Sequence, residues 1–298
     1  MKMGSNVLLG LAAFIWGIAF VAQRVGMDYV GPFTFNAARF TIGGLVLIPC
    51  VFYMRKNGET KKENRKGEKK ASIIGGICCG IALFTASSLQ QIGISYTTVG
   101  KAGFITALYI VIVPLLGIFM KKRVSWTVWI SVVIATVGMY LLCITDGFQI
   151  GKGDVYVFFC AIVFSFHILV IDRFSGEADG VFLSCIQFFT AGVLALLFSF
   201  LFEQPKMAGL TAAWLPVLYA GVLSCGVGYT LQVVGQKNTD PVIASLILSL
   251  ESVFSLLAGW ILLGQKLSPK ELFGCVLMFG AILLAQIPAG KAERQKKA

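Results

Sequence analysis

The chain has 298 residues, of which 57% are hydrophobic and only 13% charged, against roughly 25% charged in an ordinary soluble domain. That composition excludes a water-soluble globular protein and leaves no stretch for a separate soluble domain. The formal net charge of +11 suits a nucleic-acid partner only if the basic residues gather on one face, so their distribution decides what it means.

Apolar stretches of roughly 18 to 24 residues recur along the chain, each long enough to cross a hydrocarbon core of about 30 Å. They predict ten helices, at about 6–24, 33–54, 71–92, 101–120, 126–144, 154–172, 181–202, 213–235, 242–263 and 270–287. The first carries Trp16 and Phe20; lacking a small-residue cleavage site after its apolar core, it reads as a retained helix rather than a signal peptide. The second holds Arg39, about 10 Å along the axis from its outer end at about 1.5 Å per residue. The third and eighth are glycine-rich, with Gly75, Gly76, Gly80 and Gly93 in or beside one and Gly221, Gly226 and Gly228 in the other, and they carry Gln90, Gln91, Tyr229, Thr230 and Gln232. Tyr109 and Pro114 fall in the fourth, His167 in the sixth and Glu251 in the ninth.

The basic residues follow the connections between helices. Lys2, the run from Arg55 to Lys70, Lys121 to Arg123, Arg173, Lys237 and the tail from Lys291 to Lys297 all fall on one side if the spans alternate. The positive-inside rule then places both termini in the cytoplasm, as expected of a multi-pass protein of the cell membrane. The run at 55–70 reads as a topology signal at an anionic lipid surface, and no nucleic-acid partner is expected. All eight cysteines lie in or at the ends of apolar helices, with no CxxC pair and no Cys/His cluster at zinc-ligand spacing. Neither a disulfide framework nor a metal or other cofactor is expected.

The sequence also resembles itself. Residues 14–40 match 162–188 without gaps, setting Trp16 on Phe164, Pro32 on Gly180, Arg39 on Gln187 and Phe40 on Phe188. A second match sets Gln90 on Gln232, Gly93 on Gly235, Thr97 on Thr239, Tyr109 on Glu251 and Gly117 on Gly259. The expected halves are residues 1–145 and 146–298. Five helices in each is an odd number, so the second half enters the membrane from the opposite face. The expected fold class is an all-α integral membrane protein with ten transmembrane helices in two inverted five-helix repeats. In transporters such a scaffold adopts inward- and outward-open forms around a site near the midplane.

Particular segments carry a family resemblance: Phe14-Ile15-Trp16-Gly17 with Phe20; Pro32 through Arg39-Phe40; Ala244 through Phe254 to Gly259; and Leu263-Gly264-Gln265-Lys266-Leu267. Over nearly the whole chain they resemble the ten-helix drug/metabolite transporters with two EamA-type domains. The sequence departs from the family pattern at Ser252, where proline is common, and at Gln265, where an acidic residue is common. The resemblance implies a carrier with both termini inside and its cavity between the halves. It leaves the cargo open.

Ionisable groups inside hydrocarbon cost roughly 2.5 to 3.5 kcal/mol at a helix centre, so each needs a reason. Glu251 and Tyr109, at matched depth, are candidates to face a substrate cavity, with Glu251 accepting a coupling proton or holding a cargo amino group. A structural carboxyl bonded to a neighbouring helix is the alternative. Arg39 can bind an anionic cargo group, snorkel to the head groups, or lock its helix to backbone carbonyls. His167 suits a proton relay or a packed core position. Gln90, Gln232 and Tyr229 offer neutral hydrogen-bonding groups, and Trp16, Phe20 and Phe164 offer stacking faces; interhelical polar glue and packing are the plain accounts.

Ranked against other classes, the expected function is a secondary transporter of small metabolites, amino-acid-like or other small organic solutes, working by alternating access. A channel or a non-transporting membrane subunit is the alternative. An enzyme is not expected, since no HExxH, suitable GxSxG or paired aspartates are found. The partners implied are a small-molecule substrate and the lipid bilayer, the chain acting as a monomer or homodimer.

Overall fold

The computed structural model describes residues 2–57, 65–119, 125–143, 151–264 and 268–285. The basic residues Lys61, Lys62, Lys121 to Arg123 and Lys291 to Lys297, and the segment Gln265-Lys266-Leu267, lie outside the described residues. Among the described residues every regular element is helical. Eight spans are long and apolar enough to cross a membrane, and Trp126–Gly138 and Leu272–Ala285 are shorter apolar helices.

The long helices are α1 (Lys2–Gly26), α2 (Pro32–Asn57), α3 (Arg65–Ile94), α7 (Lys152–Ser175) and α8 (Gly180–Phe202), with α6 (Trp126–Cys143) and α14 (Pro269–Ala285) shorter. Their starts are set by local chemistry. Pro32 opens α2, and the Glu203 carboxylate from the end of α8 accepts from the backbone N–H of Phe33 and Thr34, both at 2.8 Å. That satisfies amides that no intrahelical carbonyl can reach. Asp179 caps α8 by accepting from Val181 N and Phe182 N.

Three departures from the sequence expectation matter. The fourth span is two helices, α4 (Val99–Thr106) and α5 (Tyr109–Phe119). The ninth is likewise α12 (Pro241–Leu248) and α13 (Leu250–Leu263). At both breaks the backbone tightens to bonds three residues apart, Leu108 N to Ile105 O and Ser252 N to Ser249 O, a 3₁₀-type turn inside a helix. Around the second break Ser245, Ser249, Ser252 and Ser255 each donate back to the carbonyl three residues earlier, a pattern that bends helices. Pro114, which falls in the fourth span, lies inside α5 and not at the break.

The eighth span is the third departure. After two short helices, α9 (Met207–Ala212) and α10 (Trp214–Leu218), it runs as a π-helix over Tyr219–Tyr229 and returns to α-helix at α11 (Thr230–Gln236). Its glycines serve close packing: a Cβ on Gly221 would lie 2.7 Å from Ile42 of α2, and one on Gly228 would lie 2.7 Å from the Trp16 indole nitrogen of α1. π-Helical turns often mark functional sites.

Packing interleaves the two halves of the chain. α2 lies along α8, α3 along α7 and α8, α1 along α13 and α11, and α6 along α14. Outward-facing Leu11, Phe14, Phe159, Leu197, Phe200, Leu201, Ile261 and Phe273 are exposed, an apolar band that water would not tolerate and lipid does. Cys78 is exposed while its neighbour Cys79 is buried, so the adjacent thiols point to different faces.

Candidate functional site

The two helix breaks face each other. Tyr109 is the first residue of α5 and Glu251 lies in the first turn of α13. The Tyr109 hydroxyl donates to Glu251 Oε1 at 2.8 Å, and the residues are 3% and 5% exposed. A carboxylate in the first turn of a helix meets the positive end of its dipole and free backbone amides, which helps offset its removal from water.

This pair forms one wall of a cavity whose empty space, counted with its open mouth, is about 450 Å³. Gln90, Thr106, Gln232 and Tyr229 line it, with Trp16, Phe20 and Phe164 as aromatic walls and Gln23, Arg39, Ile168, Ser224 and Leu248 completing it. Several of these groups are held by bonds between helices. The Gln90 amide donates to Thr106 Oγ1 at 3.2 Å, tying α3 to α4. The Trp16 indole donates to the Ser224 carbonyl at 3.2 Å, inside the π-helix, and Trp16 and Tyr229 pack with ring centroids 4.6 Å apart.

Arg39 is 2% exposed, so snorkelling is not its conformation. The guanidinium folds inward: Nη1 donates to Gln23 Oε1 at 3.0 Å, and the Phe40 ring lies beneath it at 4.9 Å. Of the expected site residues, Glu251, Tyr109, Gln90, Gln232, Trp16, Arg39 and Tyr229 converge on this cavity.

His167 does not. It is fully buried beside the cavity, its Nε2 is 3.2 Å from Gln187 Oε1, and its ring packs edge-on against Phe164 and Tyr229. Its helix face turns toward α8, which fits the packed-core account. Gln23, Thr106 and Ser224 belong to the cavity and were not anticipated. Gln23 had a readable signal, an amide next to Arg24 at the end of an apolar run; Thr106 and Ser224 had none, since hydroxyls on membrane helices commonly bond their own backbone.

Comparison with known proteins accounts for this architecture, because the sequence profile of the EamA-like transporter family matches twice, over residues 4–144 and 151–286. The chain belongs to the EamA-like transporter family. It is 32% identical over 292 residues to an uncharacterized transporter of Archaeoglobus fulgidus, covering 96% of this chain and 87% of that protein. It is 22% identical to an S-adenosylmethionine/S-adenosylhomocysteine transporter of Chlamydia muridarum, covering 91% of this chain and 90% of the relative. A protein of known crystal structure shares the fold, with a TM-score of 0.76 over 99% of both chains at 20% identity. Family membership and the apolar helices make the chain a multi-pass membrane transporter protein, and its relatives' names give no indication of enzymatic activity.

Proposed function

We propose that the chain is a secondary transporter that carries small organic solutes across the cell membrane by alternating access, with Glu251 able to take up a coupling proton. It crosses the membrane ten times as two inverted five-helix repeats, residues 1–145 and 146–298, with both termini cytoplasmic. The observation that carries the reading is the polar cavity walled by broken helices from both halves and closed on one side by Tyr109 and Glu251. Discontinuous helices at matched positions, enclosing polar groups between repeats, are how secondary carriers build a midplane site.

Several cross-chain contacts support the pseudo-two-fold arrangement. Tyr109 and Glu251, paired by the internal match, touch each other, as do Phe40 and Phe188, stacked with centroids 6.3 Å apart. Matched residues meet in this way when they flank a two-fold axis. Gln91 of α3 donates to the Gln23 carbonyl of α1, and Gln236 of α11 donates to the Ile168 carbonyl of α7, the same role in each half. The S-adenosylmethionine/S-adenosylhomocysteine transporter among the relatives supports an organic solute as cargo rather than an inorganic ion. The cavity is enclosed by a single chain, so a monomer suffices.

The test is uptake and efflux in sealed proteoliposomes with a pool of labelled amino acids and metabolites, with and without an imposed proton gradient. Saturable flux that responds to the gradient is expected. Flux without saturation would replace the carrier by a channel, and no flux across the pool would overturn amino acids and these metabolites as its cargo.

A further inference from the structure

Arg39 is held with its charge unanswered. A guanidinium stays protonated at any working pH, and a buried charge without a counter-charge is strongly disfavoured unless something completes it. Here Nη1 donates to a neutral amide, Gln23 Oε1 at 3.0 Å, while Nε and Nη2 have no hydrogen-bond partner. The rings of Phe40 and Phe35, 4.9 and 5.8 Å from the guanidinium carbon, hold it in place without neutralising it. A residue that only locked helices together would spend its donors on carbonyls.

The carboxylate lining the same cavity, Glu251, is occupied by the Tyr109 hydroxyl. The cavity lining therefore presents both a cation with donors to spare and an acid, together with the aromatic faces of Trp16, Phe20 and Phe164. Gln232 Oε1 also lacks a partner. A lone anion would satisfy Arg39 and leave the acid unanswered; a lone cation would do the reverse.

We infer that the cavity takes a small zwitterion, its carboxylate bound by the Arg39 guanidinium and its ammonium by Glu251, with the apolar remainder against the aromatic walls. This rests on the carrier reading above and names the cargo class for it. Arg39 suits the role because its planar fork matches a carboxylate with two parallel hydrogen bonds, and the Gln23 contact fixes the fork's orientation in advance.

The experiment uses the full chain, purified in detergent for thermal-shift binding and reconstituted for counterflow. The probes are the proteinogenic amino acids, each beside its α-carboxamide, which keeps the ammonium and loses the carboxylate, and its deaminated acid, which does the opposite. At least one amino acid is expected to bind, with each of its two analogues weaker by roughly 10- to 100-fold, the value of a charge-assisted hydrogen bond. An amino acid and its carboxamide binding alike would overturn the inference, as would the absence of carboxylate-dependent binding across the whole set.

Gln23→Glu provides a second arm that does not weaken the fold, because it places an internal carboxylate against Arg39 Nη1. Its unfolding midpoint is expected at or above that of the unaltered chain, with the preference for carboxylate probes lost. A retained preference in Gln23→Glu would overturn the role of Arg39. The two readings fail separately. Saturable exchange of other solutes without carboxylate dependence removes the zwitterion site and leaves the carrier. Carboxylate-dependent binding without exchange keeps the site and removes the carrier.

Discussion

The Tyr109 hydroxyl donates a 2.8 Å hydrogen bond to Glu251 Oε1, joining the start of α5 to the start of α13 across the two halves of the chain. Both residues follow a break in their span. The bond therefore links the two half-helices that follow the breaks, and it does so in the lining of the cavity.

Removing the hydroxyl tests that link. Tyr109→Phe leaves Glu251 buried without its donor, and losing the partner of a buried acceptor costs about 1 to 3 kcal/mol. A lower unfolding midpoint is expected, and the loss should shrink in a Glu251→Gln background because the carboxylate is no longer there to be stranded. A double-mutant cycle on thermal unfolding measures the coupling; strictly additive losses would mean that the bond carries no energy.

Glu251→Gln tests proton coupling. Glu251 shares its cavity with Arg39, Tyr109 and Tyr229, and Cys160 is also buried in the same core. Protonation removes the charge that an ammonium group needs, so binding and transport by the unaltered chain should fall as pH is lowered. Glutamine mimics the protonated carboxyl, so the variant is expected to stay near the acid-side level at every pH. Rates measured across about pH 5 to 9, spanning the carboxyl and imidazole ranges, decide it; a slope equal to that of the unaltered chain would assign coupling elsewhere.

Eight of the ten expected spans appear as helices long and apolar enough to cross a membrane, readable because hydrocarbon thickness leaves a length signal in composition; the family resemblance was readable because its motif residues sit in the first, second and ninth spans. The helix breaks were not. Ala107-Leu108 and Ser249 contain no glycine or proline, while Pro114, the obvious breaker, stays within α5. Sequence showed that Tyr109 and Glu251 are matched, and the structure shows that they touch. Arg39 was visible as a charge in a membrane helix, but its direction depends on Gln23 from another helix and on the rings of Phe35 and Phe40. His167 lies mid-span as expected, yet depth does not reveal which face of a helix a side chain takes.

Glycine packing separates tight from open positions on one helix. A Cβ on Gly17 would lie 2.3 Å from the Phe254 Cβ and 2.8 Å from its backbone carbon, whereas one on Gly10 would meet nothing within 4 Å. Gly17→Ala must push α1 away from α13, an overpacking change costing about 1 to 3 kcal/mol. Gly10→Ala should be neutral or slightly stabilising, since alanine is the better helix former. Unfolding midpoints of the two variants provide the comparison, and equal behaviour would contradict the close α1–α13 contact.

A last prediction concerns the end of the bundle where α4 meets α7. Asp154 accepts from Thr97 Oγ1 at 2.8 Å, from Lys101 Nζ at 2.6 Å and from Gly151 N at 2.8 Å, so one carboxylate joins the α3–α4 connection, α4 and the start of α7. The internal match gives the other half Thr239 in place of Thr97 and Ile243 in place of Lys101. Ile243 carries no charge, so the Lys101–Asp154 ion pair, which joins α4 to α7, has no counterpart at the position matched to Lys101. Asp154→Asn keeps the size of the side chain and removes the charge, so it should favour opening at this end and also lower the unfolding midpoint, because Asp154 is buried and Lys101 only partly exposed. With a cysteine placed at Tyr96, on the exposed edge of this junction, the rate of labelling by a membrane-impermeant thiol reagent should rise in Asp154→Asn relative to the same cysteine alone. An unchanged rate would show that the ion pair does not hold this end closed.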